Sequence, residues 1–146
     1  MAENNANIQM RLSSISEVSF MMSPGKIAKD TPPESIQLGF SCQTQADVTN
    51  DAISLVLGTK YELGGEVILE CVYRFEFEVK SLSQFVAVNA DGNITVSHIM
   101  PHLLNVAVGT MRGILVVKTA GTNFSKFPLP MIDSIQLSEI LSNHQN

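Results

Sequence analysis

His98 and His102 stand four residues apart, the spacing that sets two side chains on one helical face, where they could ligate a metal ion. Zinc needs three or four converging ligands, however. Pro101 falls between the pair and no cysteine or carboxylate is close in sequence, so no metal site is expected. Glu76 and Glu78 offer two carboxylates for acid–base work, but they alternate with Phe75 and Phe77 and read as the solvated side of a strand. Nothing nearby supplies a nucleophile, a base or a cleft. Asp91-Gly92-Asn93 is too short for a calcium loop and reads as a turn. Asn93-Ile94-Thr95 and Asn123-Phe124-Ser125 match the glycosylation sequon by chance if the chain is not secreted. The sequence contains no glycine-rich phosphate loop, no G-x-S-x-G elbow and no H-E-x-x-H. The expectation is a protein that is no enzyme and carries no cofactor.

The chain has 146 residues, enough for one domain with a core that needs neither disulfides nor metal. Fourteen acidic residues against nine basic ones give a net charge of −5, which favours solubility and argues against a nucleic-acid surface. The first residues, Met1-Ala2-Glu3-Asn4-Asn5, lack the basic-then-apolar order of a signal peptide. A cytoplasmic setting is therefore expected, with Cys42 and Cys71 as reduced core residues. Ile99 to Val117 is the most apolar stretch, but Pro101, His102, Asn105 and Arg112 interrupt it. It reads as a buried helix and not as a membrane insertion.

The elements follow from hydrophobic period. Residues 1–7 are polar and expected to be disordered, 8–141 form the domain, and 142–146 read as a frayed tail. Ile8 to Phe20 alternates with one change of phase, the mark of a long strand with a bulge. Met21 to Glu34, with Pro24-Gly25 and Pro32-Pro33, is a crossing loop. Ser35–Thr44 and Ala52–Leu63 read as strands, with Asp47, Asn50 and Asp51 in the turn between them. Gly64-Gly65 is a hairpin signal leading to the fourth strand, where Tyr73, Phe75, Phe77 and Val79 share one face. A helix then spans about Ser97–Lys118, with Thr95 or Ser97 as its cap and Gly121 at its end. Pro128 and Pro130 mark a loop to Met131, and Asp133 or Ser134 caps a short last helix. The class is α+β: a four-stranded antiparallel sheet, one long helix and a short C-terminal helix.

Apolar residues cover most of the long helix's circumference, whereas packing on one sheet needs a stripe of roughly 100°. A second cover is expected from another subunit, with Leu103, Leu104, Ala107, Val108 and Met111 as the oligomer interface. The chain also has seven Met, seven Phe and no Trp, several of them in or beside the two loops. Such residues make adaptable apolar surface.

In this order of elements the chain resembles the SecB export chaperones over residues 8–141. Ile8–Phe20 is similar to the family's first strand, Ile99-Met100-Pro101-His102 to its helix start, and Arg112-Gly113 to an Arg-Gly further along. Phe127-Pro128-Leu129-Pro130, followed by Met131-Ile132-Asp133, resembles the family's loop before the last helix. The resemblance implies a homotetramer, a dimer of dimers, that holds non-native polypeptide chains without ATP. It implies a peptide groove drawing on Met21, Met22, Ile27, Phe124, Phe127 and Leu129, and a contact from Glu17 toward the SecA motor. The short tail Ser142-Asn143-His144-Gln145-Asn146 lacks the acidic end that docks on SecA. Divergent members serve toxin–antitoxin pairs, a role that does without that tail.

Overall fold

A computed structural model describes residues 9–90, 92, 94–96 and 98–144. The expected disorder of residues 1–7, Ile8 at the strand start, the turn positions Asp91 and Asn93, the Ser97 cap and the last two tail residues all lie outside that description. Four long strands, β1 (Met10–Met22), β2 (Ile36–Asp47), β3 (Ala52–Leu63) and β4 (Glu66–Val79), form one antiparallel sheet in the order β1-β4-β3-β2. Gly64 and Gly65, both at positive φ (60° and 84°), make the tight turn between β3 and β4. At the β2–β3 turn the Asp47 side chain accepts from Asn50 N, and Asp51 enters β3 from the left-handed region (φ 53°).

Opposite residues in an antiparallel pair share a face. The registers therefore define four-residue rows on the inner face: Leu38–Tyr61–Leu69–Met22, Phe40–Thr59–Cys71–Phe20, Cys42–Leu57–Tyr73–Glu17, Thr44–Leu55–Phe75–Ile15 and Ala46–Ile53–Phe77–Leu12. The two central columns are buried throughout, and the edge columns only in part. The outer face carries Lys60, Glu62, Glu70, Arg74, Glu76 and Glu78 and is wet. β1 has two register shifts, around Ser13 and Val18, where the sequence pattern indicated one.

The long helix α1 (Met100–Lys118) lies on the inner face. It starts after Ile99 with no side-chain cap and with Pro101 in its first turn; Thr95 is in a strand and does not cap it. Its helical pattern stops at Lys118, and Gly121 (φ 81°) sits in the turn beyond. The short helix α2 (Ser134–His144) packs on α1 and β2, and its backbone stays helical past the expected end at Leu141. Asp133 caps it: its Oδ1 accepts from Ile135 N (2.9 Å) and Gln136 N (3.4 Å).

A small second sheet pairs β5 (Val86–Val88) with β6 (Ile94–Val96), which the sequence reading did not contain. A 3-10 turn, Leu82–Phe85, leads into it. The Asp51 carboxylate anchors this junction by accepting from Ser81 N (3.3 Å) and Leu82 N (3.1 Å).

The predicted interface residues need correction. Leu103, Leu104, Ala107, Val108 and Met111 are at most 5% exposed within the single chain. They belong to the chain's own core cluster, which also holds residues of the sheet and of α2, and the chain's own fold covers them. The apolar surplus of α1 lies elsewhere, at Val106, Val116 and Val117, which are 39%, 56% and 76% exposed.

Candidate polypeptide-binding site

Two loops meet at the Leu38–Tyr61–Leu69–Met22 end of the inner face. The crossing segment, residues 23–35, leaves β1 because prolines remove ladder donors and fix φ. It folds instead as two 3-10 turns, Pro24–Lys26 and Pro33–Ser35, and drops Ile27 into the core between them. In the helix-connecting segment, residues 119–133, the Thr122 side chain accepts from Phe124 N and opens a further 3-10 turn, Asn123–Lys126. Phe124 sits edge-on to Tyr61, ring centroids 6.3 Å apart.

Side-chain donors hold these loops by their carbonyls. Asn123 Nδ2 and Lys126 Nζ donate to Ile27 O and Lys29 O, both at 3.2 Å, tying one loop to the other. Tyr61 OH donates to Phe127 O (2.6 Å). Burial pushes the Tyr61 phenol up to about 12, so it stays protonated and keeps donating. Arg112 reaches from α1 with Nε to Leu129 O (2.9 Å) and Nη2 to Pro130 O (2.8 Å). Pro128 and Pro130 cannot offer N–H groups, so this segment is held through its acceptors.

The six residues expected in the groove do not form one accessible set. Ile27, Phe124 and Leu129 are buried at 3%, 1% and 2% exposure and form the floor under the loops. Met21 is exposed but pairs with Glu70 and so stands on the outer face, where its Sδ accepts from Ser23 Oγ. Met22 and Phe127 remain, both partly buried at the rim. The sequence reading did not single out Ile36, Leu38 and Phe40 by number. They lie on the inner face of β2, partly open, with Leu38 directly opposite Tyr61. Their alternation was visible, but not that β2 ends the sheet. An end strand has a rim of backbone N–H and C=O groups without a strand partner.

At the other edge, Glu17 is engaged within the chain. Its Oε1 accepts from Lys118 Nζ (2.6 Å) and Tyr73 OH (2.9 Å), and Lys118 also lies 4.6 Å from the centre of the Phe20 ring. The Lys118 bond, then that of Tyr73, holds the Glu17 carboxyl below its usual range, and the same bridge raises Lys118. Beneath lies Cys71, whose Sγ is 3.4 Å from Met111 Sδ. Burial pushes Cys71 and Cys42 each up to about 11, which keeps them as thiols. His98 precedes α1 with φ 67°, so it does not share a helical face with His102. Helix α1 is long and apolar enough to cross a membrane by length and composition, while its Leu103–Leu115 face belongs to the core.

No family model and no curated protein matches the chain. Among solved structures, a match is found to a SecB-like chaperone of Mycobacterium tuberculosis in complex with a peptide from an antitoxin. It is 12% identical, with a TM-score of 0.46, and the match covers 90% of this chain and 93% of that one.

Proposed function

We propose that the chain is a SecB-like binding protein for non-native polypeptide, acting as an ATP-independent holdase in the cytoplasm. The observation that carries this reading is the apolar margin of Ile36, Leu38 and Phe40 on the edge strand β2, with Phe127 beside it, its carbonyl bonded to Tyr61 of the adjoining strand. An extended chain could add backbone hydrogen bonds to the β2 rim while its side chains rest on that margin. Main-chain pairing with adaptable apolar contacts suits unrelated sequences and involves no chemical step. The family resemblance in motif order supports the same reading. Preproteins bound for export are one client class; SecA would have to displace Glu17 from Lys118 to use that carboxylate.

A homo-oligomer, in SecB fashion a tetramer, belongs to the proposal. Val106, Gly113 and Val117 run in one row along the exposed side of α1, and Ile15 (44% exposed) and Val18 (53%) stand out on β1. None of these five is charged, and contiguous exposed apolar surface marks association sites.

The test is light scattering of an aggregating client with and without the protein, on a sample of known mass. Substoichiometric or equimolar suppression for several unrelated clients supports the holdase. Absence of suppression by an intact oligomer sinks it, and favours a dedicated partner such as an antitoxin, to be sought by pull-down.

A further inference from the structure

On the side of α1 away from β1, a small cleft opens between the two helices. Asn105, Val108, Gly109 and Arg112 line it from α1; Met131, Ile132, Ser134 and Leu137 line it from the other side. Its volume is about 40 Å³. That exceeds the roughly 10–15 Å³ that holds one water and falls far short of the roughly 150 Å³ that admits a benzene ring. The polar groups here are underused. Arg112 commits Nε and Nη2 to the loop carbonyls, while Nη1 has no hydrogen-bond partner among the described residues. The Asn105 amide and the Ser134 hydroxyl also have none there. Gly109 leaves Nη1 uncovered: a β-carbon at that position would come within 4.0 Å of it. The neighbouring Asp133 carboxylate is turned to the first N–H groups of α2. A cation edge, an amide and a hydroxyl thus line one cleft, beside apolar walls from Val108, Ile132 and Leu137.

We propose that this cleft is a carboxylate-binding subsite, taking a carboxylate carried on an apolar stem. Guanidinium nitrogens favour carboxylates through charge-assisted hydrogen bonds, and the volume fits the head group alone. The carboxylate comes either from the terminus of a bound polypeptide or from an acidic side chain within it. The link to polypeptide rests on the function proposed above; the subsite itself does not.

N-acetyl-leucine and its C-terminal amide, titrated separately and followed by amide NMR shifts, test the subsite directly. The free acid should shift Asn105, Gly109 and Ser134 with an affinity about tenfold above the amide's, the equivalent of one charge-assisted bond. Gly109→Ala replaces a poor helix former by the best one, so it keeps the fold while its methyl fills the space beside Nη1 that the head group would enter, 4.0 Å from that nitrogen. Asn105→Asp puts a like charge in the cleft. Both variants should bring the acid down to the amide's level. Equal binding of acid and amide by the unaltered protein overturns the proposal, as does an acid preference that survives both variants. Two peptide arms, one with a free terminus and one amidated with an internal Glu, then assign the source. If neither peptide binds while N-acetyl-leucine does, the polypeptide-binding reading fails and the subsite stands.

Discussion

The Thr59 hydroxyl is the one buried side-chain polar atom without a partner among the described residues. It sits in the row Phe40–Thr59–Cys71–Phe20, where its one polar row-mate, the Cys71 thiol, points to Met111. An unmade buried hydrogen bond costs about 1–3 kcal/mol. Thr59→Val keeps the shape and removes that cost, so urea unfolding should show a gain of about 1 kcal/mol. A loss would mean that the hydroxyl has a partner in solution. Glu17 has the opposite character, a polar group with two donors. Its lowered carboxyl gives stability that is present above about 4.5 and lost as pH falls through the folded value. Lys118, raised by the same bridge, gives stability present below 10.5 and lost only as pH rises through its folded value. The bridge is therefore intact at neutral pH. Glu17→Gln should flatten the acid limb of a stability–pH profile, and an unchanged limb would show that the bridge contributes nothing there.

At the scale of elements, β3 and β4 were legible because one buried and one wet face impose strict alternation over a dozen residues. β5 and β6 were not, since three residues apiece are too short to show a period. The burial of Ile27 and Phe124 was equally hidden. It depends on Asn123 reaching Ile27 O and Phe124 reaching Tyr61, contacts between segments far apart in sequence. Loop prolines announced where regular structure stops, but not which apolar residues the loops would swallow. The junction between β4 and β5 depends on Asp51, which combines a left-handed backbone with two accepted N–H bonds. Asp51→Ala loses both and strains φ, for an expected cost of about 2–3 kcal/mol in thermal or chemical denaturation. Asp51→Asn keeps an acceptor and tolerates that backbone, and should lose clearly less. Equal losses would remove the carboxylate bonds from the explanation.

For the whole molecule, sheet and α2 together cover the Leu103–Leu115 side of the long helix and leave its other sides open. What a single chain leaves open is the Val106–Gly113–Val117 row and the β1 edge. Two substitutions separate these surfaces. Val108→Asp puts a charge where exposure is 5% and should unfold the chain, since an unpaired buried charge costs several kcal/mol. Val117→Asp falls where exposure is 76% and should leave secondary structure intact while lowering the mass seen by light scattering. A folded Val117→Asp protein of unchanged mass would remove that row from the interface.

The sheet order has a consequence for how the chain is made. β1 comes before the other strands of the sheet, yet among the described residues its strand partner is β4 alone, with Met10 set against Val79. β2, β3 and β4 can pair through successive hairpins as they leave the ribosome. β1 must wait for the whole of β4. At about 5–20 residues per second that is an interval of several seconds in which its apolar residues have no home. Of the four strands of this sheet, the one made first is then the last to be placed. A rearranged chain in which β1 is moved to follow β4 directly through a short turn would make this long-range closure one more hairpin, and should refold faster than the native order.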